Sequence, residues 1–267
     1  LPDYHRNSFR KRHRDLVSSA SAFQSSGTGV VLFATCWGNY NEPDLGEDLC
    51  AVFEHNAIPV ALAEKEHCCG MLRLELGDLD AVEMAKNDNI PVLAEWVDSG
   101  WGIVVPVPGC VQMFKQWLPL MFPDDPQVEK VRNAVFDPIE YLMLRKKEGQ
   151  LKTDFKHALG VVSYHLPCHL RARSIGEKTR DILSLIPGTH VEVIAGCSGR
   201  DGSYAVKSEH YKASMELARP VVDRIRQVIP DHYSSGCPMA GVQIENSLAD
   251  GSRAEHPLAL LRRAYGI

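Results

Sequence analysis

The chain has 267 residues, 45% of them hydrophobic and 24% charged, with a formal net charge of −5. That length allows one large domain or two ordinary ones with ample core, and the acidic balance argues against a nucleic-acid surface. The longest apolar runs, 29–34 and 102–107, fall well short of the roughly 20 residues that a membrane-spanning helix needs.

In chain order, the first 15 residues are polar and basic with no apolar run behind them, so no signal peptide is expected. Residues 1–28 read as a linker or frayed tail whose arginines and lysine are solvated, or as the end of something longer. At Gly29-Val30-Val31-Leu32-Phe33-Ala34-Thr35-Cys36 a β-branched run, predicted as a strand, ends on a cysteine. A helical segment opens at Leu45-Gly46-Glu47 and breaks at Pro59, and the run Val60-Ala61-Leu62 then leads to Cys68-Cys69-Gly70. Apolar residues at three- and four-residue spacing predict a long amphipathic helix over 79–99. The half closes on Val104-Val105-Pro106-Val107-Pro108-Gly109-Cys110.

The same order then repeats. Gly160-Val161-Val162 opens a run to Pro167-Cys168, Ile175-Gly176-Glu177 opens a helix that breaks at Pro187, and Val191-Glu192-Val193-Ile194 leads to Cys197-Ser198-Gly199. A helix is predicted over 204–228, and His232-Tyr233-Ser234-Ser235-Gly236-Cys237 closes the second half. Equivalent cysteines lie 132, 129 and 127 residues apart, so the chain is a tandem duplication. The expected organisation is a first cysteine-rich repeat over 29–125, a connector over 126–159, and a second repeat over 160–267 that carries a C-terminal amphipathic helix. The expected fold class is α/β: two βαβαβ-type halves with mainly parallel sheets and the cysteines at strand C-terminal ends, where such sheets form their crevice.

Eight cysteines in a chain with a large core and no export signal favour a reducing, cytoplasmic setting and metal or redox work over disulfides. Adjacent residues on an extended chain point in opposite directions, so Cys68 and Cys69 fit poorly on one tetrahedral zinc, whereas a cluster of several irons can use both. Gly70 permits the turn and a close approach to a bulky anionic cofactor. With the next helix starting near 78–80, loop amides are expected to tune the sulfurs. The first half offers Cys36, Cys68, Cys69 and Cys110, and the second offers Cys168, Cys197 and Cys237, with Ser198 in place of a vicinal cysteine. His169 is a conceivable fourth ligand, and equally a satisfied histidine after a strand. Cys50, inside a helical stretch, reads as a buried core thiol. No dinucleotide fingerprint, phosphate-binding loop, ferredoxin cysteine run or nucleophile elbow is present.

These residues resemble the CCG cysteine-rich domain proteins, which include the B component of heterodisulfide reductase and the C component of anaerobic glycerol-3-phosphate dehydrogenase. The likeness is greatest to the latter branch. It rests on Cys68-Cys69-Gly70, Pro167-Cys168-His169-Leu170, Cys197-Ser198-Gly199-Arg200-Asp201-Gly202 and Cys237-Pro238-Met239-Ala240, and runs from about residue 29 to the end. In heterodisulfide reductase each set reads Cys, Cys-Cys-Gly, Cys-x-x-Cys. Here Met113 and Ala240 stand where the last cysteines would be, and Ser198 replaces one of the vicinal pair. The resemblance implies an iron–sulfur cluster of the 4Fe–4S type, cubane or not, on the seven motif cysteines. It also implies electron transfer between a flavoprotein dehydrogenase or ferredoxin-type donor and a quinone or thiol-type acceptor. Membrane contact would come only through a partner protein, giving a chain peripheral to the inner membrane. Members of that branch carry an N-terminal two-cluster ferredoxin region; nothing here matches it, so a fragment or a separately supplied domain is expected. A cluster-based disulfide reductase is a second reading, weakened by the missing cysteines. A non-redox scaffold with zinc or empty cysteine sites is a third.

Overall fold

A computed structural model describes residues 3–23, 29–171, 175–200 and 202–267. It divides into two compact units, 3–141 and 142–267. The first unit is built on strands β1 (Val17–Ser18), β2 (Val30–Leu32), β3 (Val60–Ala63), β4 (Gly102–Val104) and β5 (Val135–Phe136), in the order β1-β3-β2-β4-β5. All neighbours are parallel, with Val31 of β2 in register with Ala61 of β3 and with Ile103 of β4. Val30, Val31 and Leu32 are fully buried, as the central strand of a parallel sheet covered on both faces must be.

The helices of this unit are α1 (Phe9–Arg12), α2 (Cys36–Tyr40), α3 (Pro43–His55), α4 (Met71–Glu75), α5 (Leu79–Asp98), α6 (Pro108–Gln112), α7 (Leu118–Met121) and α8 (Pro126–Ala134); α9 (Pro138–Lys147) runs across the boundary. Asp78 caps α5 by accepting from the Ala81 N–H at 3.2 Å. Asp125 caps α8 and also receives Lys86 of α5 at 2.7 Å, which fastens the two helices together. Between α6 and α7 the helix widens to π geometry over Met113–Trp117, a distortion that often marks functional sites.

Two expectations are corrected here. The stretch 1–28, read as a linker or frayed tail, is folded onto this unit over its described part. Phe9 is fully buried, and its ring lies so close to Gly46 of α3 that a Cβ there would stand 2.6 Å away. β1 pairs with β3, the His5 N–H donates to Tyr40 O at 2.7 Å, and Arg12 reaches Asp44 and Glu47 at 3.0 and 2.7 Å. The basic run resembles a solvated tail because its acidic partners lie more than thirty residues away. The expected connector 126–159 is likewise not separate, since β5 completes the first sheet beside β4.

The second unit holds β6 (Gly160–Leu166), β7 (Thr189–Ala195) and β8 (His232–Ser235), all parallel in the order β7-β6-β8. Its helices are α10 (Cys168–Arg171), α11 (Ile175–Leu183), α12 (Tyr211–Val228), α13 (Pro238–Leu248) and α14 (Pro257–Tyr265). The helix predicted over 204–228 begins only at Tyr211, after a 3₁₀ turn at Tyr204–Val206. Ile194 and Tyr233 of the sheet pack on Ala218, Val221, Val222 and Ile225 of α12 and on Ile244 and Leu248 of α13. α14 buries Leu258, Leu260 and Leu261 in this unit, and the Tyr265 O–H donates to Lys152 O at 2.7 Å. The α/β class with parallel sheets therefore stands as expected.

Candidate metal centre

Parallel strands send their carboxyl ends to one edge, so loops far apart in sequence meet there. In the first unit the loop after β2 delivers Cys36 to the start of α2, the loop after β3 delivers Cys68 and Cys69, and the segment after β4 carries Cys110 within α6. The four thiols come together. The Cys36 and Cys69 thiols both hydrogen-bond to Cys68, and Cys69 Sγ lies 3.1 Å from Cys110 Sγ. Cys36 and Cys68 are exposed, whereas Cys69 and Cys110 are buried.

The electrostatics of this row are uneven. Hydrogen bonds from Cys36 and Cys69, the Gly70 N–H and the nearby Arg73 hold the Cys68 thiol far below the usual range. Cys36 is pushed up by its hydrogen bond to Cys68 and by burial, and Cys69 is pushed up by Cys110, by Cys68 and by burial. One thiol, Cys68, is thus ready to ionise, whereas Cys36 and Cys69 keep their protons until a cation compensates the charge. Among the described residues, no three His, Cys, Asp or Glu side chains stand in a metal-holding arrangement. The sulfur contacts run as a chain, 36 to 68 to 69 to 110, across two adjacent residues. A polynuclear iron–sulfur group suits that donor set.

Gly70 takes a left-handed turn (φ +90°) directly before α4. The sequence pattern puts the next helix near 78–80. A short helix in fact starts at Met71, directly after the motif, and the amide that donates to the Cys68 thiol is that of Gly70, the residue before it. α4 is only one turn long and carries no apolar period that a sequence could display. Met113, in place of a motif cysteine, is fully buried at the start of the π segment and packs toward Gly70. Cys50 sits in α3, half-buried, with burial raising its thiol to about 12, which suits an inert structural thiol.

In the second unit, Cys168 starts α10, Cys197 follows β7 and Cys237 caps α13. Leu166 pairs with Ala195, so Cys168 and Cys197 stand at matching positions beyond the sheet, and His165 pairs with Ser235, which sets Cys237 one position earlier at the same edge. Cys168 and Cys197 are exposed and Cys237 is buried. The Gly199 N–H donates to Cys197 Sγ at 3.3 Å, and Ser198 is buried, its Oγ accepting from the Arg200 N–H at 3.4 Å. His169 lies on α10, partly exposed.

Sequence reasoning missed two sets of supporting residues. Glu66 is a buried carboxylate between Cys36 and Cys68; it accepts from Ala34 N at 3.0 Å, Thr35 N at 2.8 Å and Arg10 Nη1 at 3.3 Å, while burial pushes it up to about 7. In the second unit, two histidines, His165 buried and His256 half-buried, each hold the glycine before a cysteine. His165 meets Gly196 O at 3.2 Å through Nε2 and Ser235 Oγ at 3.0 Å through Nδ1. A carbonyl only accepts, so Nε2 carries the proton and Nδ1 accepts from Ser235, whose Oγ in turn receives the Cys237 N–H at 3.3 Å. His256 bonds the Gly236 backbone and accepts from the Leu258 N–H at 3.3 Å. Burial lowers His165 to about 4 and His256 to about 3, so both are neutral.

Comparison with known proteins gives the same division. Residues 30–115 and 162–245 each match the family model described as the CCG cysteine-rich domain. The C component of the anaerobic glycerol-3-phosphate dehydrogenase of Escherichia coli K12 is 29% identical over 271 aligned residues, covering 99% of this chain and 65% of the relative. The B component of the fumarate reductase (CoM/CoB) of Methanothermobacter marburgensis is 28% identical, covering 85% of this chain and 44% of the relative. The lactate utilization protein A of Bacillus cytotoxicus is 25% identical, covering 76% of this chain and 84% of the relative. The chain thus spans less than two thirds of the length of the first two of these relatives. No helix among the described residues is long and apolar enough to cross a membrane.

Proposed function

The chain belongs to the CCG cysteine-rich domain family, and on that premise we propose that it is an iron–sulfur electron-transfer subunit or domain of an oxidoreductase. The observation that carries the reading is the row of four thiols at the edge of the first sheet, two buried and two exposed, with one already disposed to ionise. When bound, a 4Fe–4S type cluster, cubane or not, supplies one-electron exchange without a general acid or base. Cys36, Cys68, Cys69 and Cys110 hold it. The Gly70 N–H and Arg73 offset thiolate charge at Cys68, and burial of Cys69 and Cys110 shields one side from water. Cys168, Cys197 and Cys237 form a smaller second set.

The exposed side, at Cys36 and Cys68, is where a redox partner approaches. A flavoprotein dehydrogenase or a ferredoxin-type protein is the donor we assign, and a quinone or a thiol-type compound the acceptor. Contact with a membrane would come through such a partner.

The test is anaerobic purification followed by assay of iron, acid-labile sulfide and zinc. Iron and sulfide in comparable amounts, with a reversible one-electron signal, are expected. Protein holding zinc and no iron overturns the reading. Cys68→Ser and Cys69→Ser are each expected to lower bound iron by about tenfold or more, on the scale of lost metal ligation. Cys50→Ser is expected to leave it unchanged. An equal loss in all three would refute the ligand assignment.

A further inference from the structure

We infer that Glu66, gripped by Arg10, is the positioning residue of the first centre: it locks the Cys36 loop to the Cys68 loop and makes α1 part of the site. The inference rests on the proposed function only for what the cysteines hold.

The sheet does not fix these loops by itself. Hydrogen-bonded pairing of β2 and β3 ends before either cysteine, and Glu66 lies beyond the last residue of β3 while its partner amides, Ala34 and Thr35, lie beyond the last residue of β2. The carboxylate takes both amides at once, one on each oxygen. It thereby holds Thr35 at φ +65°, ψ 159°, a backbone region nearly confined to glycine, which persists only where its surroundings over-determine it. Thr35 Oγ1 then accepts from the Gly38 N–H at 3.1 Å and caps the helix that Cys36 begins.

Arg10 completes the clamp from the other side. Its guanidinium donates to Glu66, to Ala63 O and to Glu64 O, and its own N–H donates to Asn39 Oδ1 at 2.9 Å on α2. One residue of α1 therefore touches both cysteine-bearing segments. The repeat supplies an internal comparison: the position equivalent to Glu66 in the second unit is Ala195, which pairs in its sheet without a carboxylate. The fold does not require the acid, so its place in the first unit belongs to the site.

The test uses the full chain with Glu66→Gln, Glu66→Ala, Arg10→Ala and Arg10→Lys, and with Glu64→Gln as the control. In metal-free, reduced protein, the rate at which iodoacetamide alkylates Cys36 is read by mass spectrometry against Cys197 as reference. Glu66→Ala and Arg10→Ala are expected to raise that ratio about tenfold and to lower retained iron to a similar degree in loaded protein, the usual scale for groups behind metal ligands. Arg10→Lys is expected to restore part of both. Glu66→Gln, which keeps one acceptor, is expected to fall between, with an altered electron paramagnetic resonance spectrum. If Glu66→Ala does not fold, Arg10→Ala decides. An unchanged Cys36 ratio in folded Arg10→Ala overturns the inference. Wild-type protein without iron overturns the electron-transfer reading instead, and the alkylation ratio still judges the clamp.

Discussion

Gly199→Ala is expected to destabilise the second unit by about 4 kcal/mol, whereas Gly70→Ala, the equivalent change in the first unit, costs only about 1–2 kcal/mol. The two glycines close equivalent motifs, Cys68-Cys69-Gly70 and Cys197-Ser198-Gly199, and both are left-handed, at φ +90° for Gly70 and +74° for Gly199. The conformational penalty is therefore shared. What differs is the space. A Cβ on Gly70 would meet its neighbours at 3.5 Å or more, an ordinary contact. A Cβ on Gly199 would stand 2.0 Å from the Ser214 carbonyl oxygen, part of the α12 backbone, which cannot swing aside. Ser214 is itself pinned, since its Oγ donates to Gly199 O at 2.8 Å and receives Gln243 at 2.8 Å. Urea titration of the two variants measures the difference. Equal losses would show that the backbone of α12 yields, and that the contact between the Cys197 loop and α12 is soft.

Acidification is expected to loosen the second unit before the first. His165 and His256 have folded pKa values of about 4 and about 3, below the 6.5 of an unfolded histidine. Their stabilising contribution is complete above about pH 6.5 and is lost as the pH falls toward the folded values, because the unfolded chain takes up the protons first. Full titration removes about 3–5 kcal/mol for each. Glu66 has the opposite sign. Its folded value of about 7 lies above that of a free glutamate, so its contribution is complete below about pH 4.3 and is lost as the pH rises toward 7. Hydrogen exchange read on peptides spanning β6 and β2 between pH 7 and pH 5 separates the two. Protection is expected to fall in β6 while holding or rising in β2. Parallel loss in both strands would contradict the assignment of neutral, stabilising histidines. Because those histidines hold Gly196 and Gly236, the same acid step is expected to free the Cys197 and Cys237 loops.

The features legible in the sequence are those with a period or a repeated marker. Gly-Val-Val runs ending on cysteines identify β2 and β6, and the spacing over 79–99 identifies α5, because burial on both faces of a parallel strand and on one face of a helix writes a pattern. The convergence of Cys36, Cys68, Cys69 and Cys110 follows from strand ends sharing one edge. What was not legible has no local pattern. β1 and β5 are two residues each, and α4 is one turn. Arg10 stands in a run of basic residues that looks solvated, and its partner Glu66 is 56 residues away among other charges. Nothing along the chain tells a carboxylate that fixes two loops from one that faces water. The same holds for His165, whose partners Gly196 and Ser235 reach it only through sheet register.

The strand order also governs how the centre comes into being. β2 pairs with both β3 and β4, so the strands that deliver Cys36 and Cys110 are neighbours although β3 and the whole of α5 are synthesised between them. Parallel pairing cannot begin from a tight hairpin and must wait for each crossover to be made. A ribosome that has released Cys36, Cys68 and Cys69 has therefore released three thiols and no complete set. Until β4 docks, they are open to oxidation and to whatever soft metal the cell offers. For the ligand set proposed above, iron insertion would therefore follow the docking of β4, and the same topology that gathers the cysteines withholds the complete set until the first sheet is built.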